Sequence, residues 1–342
     1  MNINRRSLVS GLSATLLTPC LASAATVTDT TGRTIAVPDK VERIFAAGPP
    51  ASILVYTFAP DLLLGWTRSH ESAQCEFLGV GACDKPQVGR LTGRGNTTNL
   101  EVLLKFKPDL ILDVGTINDT YISLANRVQE QTGIPYALLD GRFDAIVPVY
   151  RKLGELIHRQ DEADVFARYA ENTIDIIKGR IDKIPSEQRP RVYYGRGPNG
   201  LETGLGGSIN VETIEFLGAR NVAGERRGGM AMVSVEQVLV WNPDVIITIE
   251  PAFATNVRSD PVWAPVKAVQ TGRIYLSPTL PFGWVDFPPS VNRLIGLWWL
   301  AKALYGDLFP EDLRPITRDF YQKFYHMTPT DAQIKSLLVG PT

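Results

Sequence analysis

Short runs of apolar residues, separated by stretches with helical spacing, organise this chain. Ile44-Phe45-Ala46-Ala47 follows Arg43 as a buried-type strand, which leads into Gly48-Pro49-Pro50 and an apolar helix over 51–58. Strand-like runs recur at 62–66, 110–114 and 137–140. Strands alternating with helices predict an α/β fold, a parallel sheet covered by helices. The stretch 29–38 (DTTGRTIAVP) predicts a short hairpin around Thr31-Gly32.

Segment 161–184 has a different pattern. Val165, Phe166, Tyr169, Thr173, Ile174, Ile177, Ile181 and Ile184 recur at helical spacing, with charges between them. A helix of that length reaches roughly 36 Å at 1.5 Å per residue, enough to run between two lobes. A second α/β block opens at Arg191-Val192-Tyr193-Tyr194, with helices near 211–217 and 235–240 and strands at 245–249 and 273–276. Pro288-Pro289 then open a predicted helix over 290–305. Two more helices are expected near 310–326 and 331–338. The expected organisation is a leader over 1–24, a first α/β lobe over 25–158, a connecting helix over 159–187 and a second α/β lobe over 188–342.

One pattern occurs twice. NLEVLLKFKPDLIL at 99–112 aligns without a gap on SVEQVLVWNPDVII at 234–247. Glutamate, proline and aspartate match by identity, and most apolar positions match in kind. Each copy predicts a cap, a short helix with glutamate in its first turn, a Pro-Asp turn and a strand. Such a duplication points to two like lobes with a cleft between them, and α/β sheets bind ligands at the carboxyl ends of their strands.

Composition narrows the class. At 342 residues the chain exceeds one ordinary core, and 44% hydrophobic with 21% charged residues is globular. Arg5 and Arg6 precede an apolar run over 8–21 that ends in Ala22-Ser23-Ala24. This predicts a secretory leader cleaved near Ala24, taking the Sec or the twin-arginine route, and a periplasmic product. Pro19 before Cys20 argues against a lipid anchor. The formal net charge is -1, and losing the leader makes it more negative, so no basic field exists for nucleic acid. Cys75 and Cys83 then remain and are expected to form a disulfide in an oxidising compartment. With 3 histidines in the chain, no protein-built metal site and no cofactor are expected.

Taken together, these features resemble the class III periplasmic substrate-binding proteins, which serve ABC importers of iron siderophores, haem, cobalamin and some oxyanions. The matching features are Val27-Thr28-Asp29, Arg43-Ile44-Phe45 with Gly48-Pro49-Pro50, both Glu…Pro-Asp segments, the long helix and Trp298-Trp299. The resemblance implies two Rossmann-like lobes joined by a long rigid α-helix, a ligand cleft between them and modest closure. It also implies that Glu101 and Glu236 dock the permease of an ABC permease/ATPase complex. The chain is expected to act as a monomer.

Ligand residues should lie on loops after strands. In the first lobe these are Pro50, Trp66, Arg68 and Arg90. In the second they are Tyr194, Arg196, Arg227, Met230 and Trp284. Arginine forks suit anionic oxygens, and tryptophan and tyrosine offer flat faces to an organic chelator. The expected cargo is therefore an iron-siderophore or similar metal chelate, with a molybdate- or tungstate-type oxyanion, cobalamin or haem as alternatives. An arginine-dense, compact cleft would favour the oxyanion. An aromatic, open one would favour the chelate. An exported enzyme is the remote alternative: Thr203-Gly204-Leu205-Gly206-Gly207 lacks the third glycine of a dinucleotide loop, and no catalytic residues are assigned.

Overall fold

The computed structural model describes residues 24–93 and 95–338. The expected leader before Ala24, with Arg5, Arg6 and Cys20, lies outside the described residues. The chain opens with an antiparallel hairpin, β1 (Ala24–Thr28) and β2 (Thr34–Pro38). A parallel sheet follows in the order β3 (Ile44–Ala46), β4 (Leu110–Gly115) and β5 (Tyr136–Asp140). The later half of the chain forms β6 (Arg191–Gly195), β7 (Glu202–Gly204), β8 (Arg220–Asn221), β9 (Met230–Met232), β10 (Val245–Thr248) and β11 (Ile274–Leu276). Four of these make a second parallel sheet in the order β11-β10-β6-β8, and β7 pairs with β9 as a separate antiparallel ribbon.

Both sheets are buried on two faces, which explains their unbroken apolar strands. Side chains alternate across a sheet with period two. Ile44, Ala46, Leu110 and Leu112 therefore point into a central core, while Phe45 and Ile111 point into a separate outer one. The second sheet divides in the same way, with Val192 and Ile247 in the central core and Tyr193 and Ile246 in a third. The central core is continuous through both sheets and the connecting helix.

The repeat folds as two clasps with the same caps and the same bonds. Helix Leu100–Lys105 is capped by Asn99, whose side chain accepts from the N–H of Val102. Helix Val235–Trp241 is capped by Ser234, which accepts from Gln237. Lys107 and Asn242, at φ 46° and 42°, turn each chain into its Pro-Asp step. Asp109 Oδ2 accepts from the N–H of Arg43 at 2.9 Å, and Asp244 Oδ2 accepts from the N–H of Arg191 at 2.9 Å. The arginines reciprocate: Arg43 Nη2 donates to Phe106 O at 2.6 Å, and Arg191 Nη2 donates to Trp241 O at 2.6 Å. Each clasp fixes its helix-strand unit against the start of the neighbouring strand, β3 in one lobe and β6 in the other.

The structure changes several sequence expectations. The connecting helix is Gln160–Ile181, 22 residues or about 33 Å. Its buried face is Ala163, Ala167, Ala170, Thr173, Ile177 and Ile181, whereas Val165 is half exposed. The small residues permit a close crossing: a Cβ on Gly154 would lie 2.4 Å from that of Ala163. The predicted strand over 62–66 makes only isolated bridges, through Leu63 to Ile44 and Trp66 to Gln87. Gly65 is pressed there against Pro86, whose carbonyl oxygen would lie 2.2 Å from an added Cβ. The helix expected from 290 starts at Arg293, because Ser290 and Asn292 are used in side-chain bonds to Pro50 and Pro288.

The end of the expected second lobe also packs on the first lobe and the connecting helix. Helix Leu313–Phe324 packs Phe324 against Phe166 and Tyr150, and Tyr321 against Phe77. Tyr56 Oη donates to Tyr325 O at 2.8 Å. These apolar partners belong to the first lobe and the connecting helix, while Tyr321 also packs against Trp284 of the later half. No described helix is long and apolar enough to cross a membrane.

Candidate ligand cleft

The carboxyl ends of both sheets converge on one cavity of about 280 Å³. The first lobe supplies Pro49 and Pro50 after β3, Arg90 and Thr92, the end of β4 from Asp113 to Thr116, and Tyr121. The second supplies Arg196 after β6, Asn210, Met230 and the segment Asp286–Pro289. Larger hollows of about 730 and 860 Å³ lie elsewhere. One is bordered by Gln188 and Arg273, which precede β6 and β11. It is therefore at the amino ends of the strands, where α/β sheets do not bind ligands. The other lies among the C-terminal helices.

Of the nine residues expected to touch ligand, Pro50, Arg90, Arg196 and Met230 line this cavity. Trp66 and Arg68 instead line a small hollow beside it. Arg227 is exposed, beside Gly207, and does not border the cavity. Tyr194 is fully buried and donates its hydroxyl to Asp286 at 2.9 Å. Trp284 is also fully buried, with its indole N–H donated to Tyr321 Oη at 3.2 Å. The Pro-rich loop folds inward and carries Trp284 into the central core, so the aromatic faces expected for a chelator are mostly spent on packing.

Two buried carboxylates frame the cavity, and neither was singled out from the sequence. Asp286 accepts from Tyr194, from Arg196 Nη1 at 3.0 Å and from Asn210 Nδ2 at 2.7 Å. It therefore holds Arg196 in place at the wall. Asp113 lies opposite, at the end of β4. Its Oδ1 accepts from Thr92 Oγ1 and from the N–H of Val114, both at 3.0 Å. Burial pushes the Asp113 carboxyl above the usual range, against the pull of the Thr92 hydroxyl. An aspartate inside the apolar run LILDVG was the available signal for it. Asp286 carried none, since its partners are far away in sequence.

The cavity also receives the start of helix Pro49–Phe58. Prolines at its first two positions remove two of the free N–H groups that would otherwise face an anion. Attraction for an anion thus rests on the arginines. Arg90 Nε donates to Gly95 O at 2.7 Å, which orients that side chain.

Cys75 and Cys83 are joined by a disulfide across a Cα separation of 5.9 Å. The loop it closes backs onto Trp66, whose indole N–H donates to Ala82 O at 2.7 Å. Glu101 and Glu236 are exposed in the first turns of the two repeated helices. Among the described residues, no group of three His, Cys, Asp or Glu side chains could hold a metal ion.

Comparison with known proteins agrees with this architecture. Molybdate-binding protein MolA of Haemophilus influenzae is 26% identical over 344 residues, covering 91% of this chain and 95% of that protein. Among solved structures, an ABC transporter solute binding protein from Sulfurospirillum deleyianum superposes with a TM-score of 0.83 at 29% identity, over 92% of this chain and 98% of that one. Molybdate-bound MolA superposes with a TM-score of 0.71 at 24% identity, over 90% and 99%. These relatives are described as binding proteins for solutes. Residues 83–279 match the periplasmic binding protein family, and the chain belongs to that family, as a substrate-binding component of the class III, two-lobed type.

Proposed function

We propose that this protein captures a compact tetrahedral oxyanion of the molybdate and tungstate class and delivers it to an ABC permease. One observation carries the reading: Arg90 and Arg196, from opposite lobes, border a single cavity of about 280 Å³. Drug-sized ligands occupy pockets of roughly 300–1,000 Å³. An iron-siderophore chelate or cobalamin needs the upper part of that range or more, whereas a four-oxygen anion fits with room for water. Arginine forks give charge-assisted, paired hydrogen bonds to such oxygens. The likeness to a molybdate-binding protein over most of both chains supports the same reading.

The chelate expected first from the sequence required flat aromatic faces at the cleft. Burial of Trp66, Tyr194 and Trp284 argues against it. Delivery is proposed to run through Glu101 and Glu236, one per lobe. A thermal-shift screen of the mature protein tests the cargo. A ligand at a thousandfold excess over its Kd stabilises by about 4 kcal/mol, so molybdate or tungstate should raise Tm while ferric siderophores and cobalamin leave it unmoved. The reverse order would overturn the oxyanion reading.

A further inference from the structure

The two repeated helices differ at one exposed position. In the ungapped alignment of 99–112 on 234–247, Lys105 falls on Val240. Each stands four residues after the glutamate of its helix and so shares that glutamate's face. In the first helix Lys105 Nζ lies 3.0 Å from Glu101 Oε1, with both side chains mostly exposed. In the second, the Glu236 carboxyl is held below the usual range by hydrogen bonds from its own N–H and from the Ser234 hydroxyl, and no cation among the described residues contributes. Val240 beside it is 78% exposed, against 47% for Leu104, the apolar neighbour of Glu101.

Folding does not ask for valine at 240. A β-branched residue is a weaker helix former than lysine, and a lysine there would add the Glu–Lys pair that the first helix has. The difference instead changes what each glutamate offers to a partner. A cation approaching Glu101 must displace Lys105 and meets that lysine's like charge. A cation approaching Glu236 meets a bare carboxylate with apolar surface next to it to bury. A permease surface that sets a guanidinium or ammonium beside an apolar side chain therefore fits the second lobe better than the first.

We infer that docking on the permease is unequal between the lobes, with Glu236 and Val240 of the second lobe forming the dominant contact and the Glu101 patch, screened by Lys105, the weaker one. This rests on the docking role proposed above for the two glutamates.

The test measures the Kd of the mature protein for its permease/ATPase complex in lipid nanodiscs by biolayer interferometry, with Tm as the control for folding. A hydrogen-bonded charge at an interface is worth about tenfold or more in affinity. Glu236→Gln and Val240→Lys are therefore expected to weaken docking about tenfold or more, and Glu101→Gln less than about threefold. Val240→Ser, which removes the apolar contact without adding charge, should also weaken it, and Lys105→Val should tighten it. Equal or reversed losses from the two glutamate variants, or wild-type docking by both Val240 variants, overturn the inference. Wild-type docking by the double variant Glu101→Arg with Glu236→Arg overturns the docking role itself.

Discussion

Arg293 and Glu212 form an ion pair at 3.0 Å beneath the cleft, and each partner also bonds to the first lobe. Arg293 Nη2 donates to Gly141 O at 2.7 Å, and Glu212 Oε2 accepts from the N–H of Phe143 at 2.8 Å. Both residues come from the second half of the chain, so the pair ties the lobes together at their base. Burial pushes the Glu212 carboxyl up and the Arg293 guanidinium down, each opposed by its partner. Removing one partner leaves a buried charge alone, which costs about 3–5 kcal/mol. Glu212→Ala should therefore lower stability by about that much in urea unfolding. A loss within experimental error would show that the lobes do not depend on this pair.

Arg90 and Arg196 should each matter to ligand affinity. Hydrogen bonds to charged groups contribute about 1.5–3 kcal/mol, so Arg90→Ala should weaken molybdate binding by roughly ten- to a hundredfold. Arg196→Gln should do the same, with some loss of Tm because Asp286 loses its cationic partner. Calorimetry on both variants checks the assignment, and unchanged affinity in either would remove that arginine from the site.

Asp113 gives the site a pH dependence of known sign. Its folded carboxyl takes up a proton more readily than in the unfolded chain. The associated stability is full below the unfolded value of about 3.9 and is lost as pH rises through the higher folded value. Ionisation also places a negative charge at the cavity wall, so anion affinity should decline over the same window. Asp113→Asn should flatten both profiles and tighten molybdate binding at neutral pH. Parallel profiles in variant and wild type would contradict this.

Glu101 and Glu236 separate transport from capture. The double variant Glu101→Arg with Glu236→Arg should keep molybdate affinity, because neither residue borders the cavity, and should abolish uptake by cells that depend on this protein. Unimpaired uptake would sink the docking assignment.

Much of the fold was legible because parallel strands buried on two faces leave continuous apolar runs, as β3, β4 and β6 do. The helix-turn-strand unit of the repeat was legible because its cap and turn are local, whereas the bonds from Asp109 to Arg43 and from Asp244 to Arg191 join distant segments and left no local signal. The candidate site was less so. Arg90, Arg196 and Pro50, expected on loops, and Met230, which opens β9, line the cavity. Trp284 was misplaced because nothing local says whether a Pro-rich loop folds outward or into the core. Asp286 was missed because its meaning lies in Tyr194, Arg196 and Asn210, three partners supplied only by the tertiary fold. The alanine face of the connecting helix escaped a search for large apolar residues, although close helix packing selects small ones.

The central claim is that one compact oxyanion sits between the lobes. Titration calorimetry of the mature protein with molybdate tests it most directly. Saturable binding of one ion per chain, displaced by tungstate, is the expected result. No binding of molybdate or tungstate, with tight binding of a ferric siderophore or a corrinoid, would contradict it.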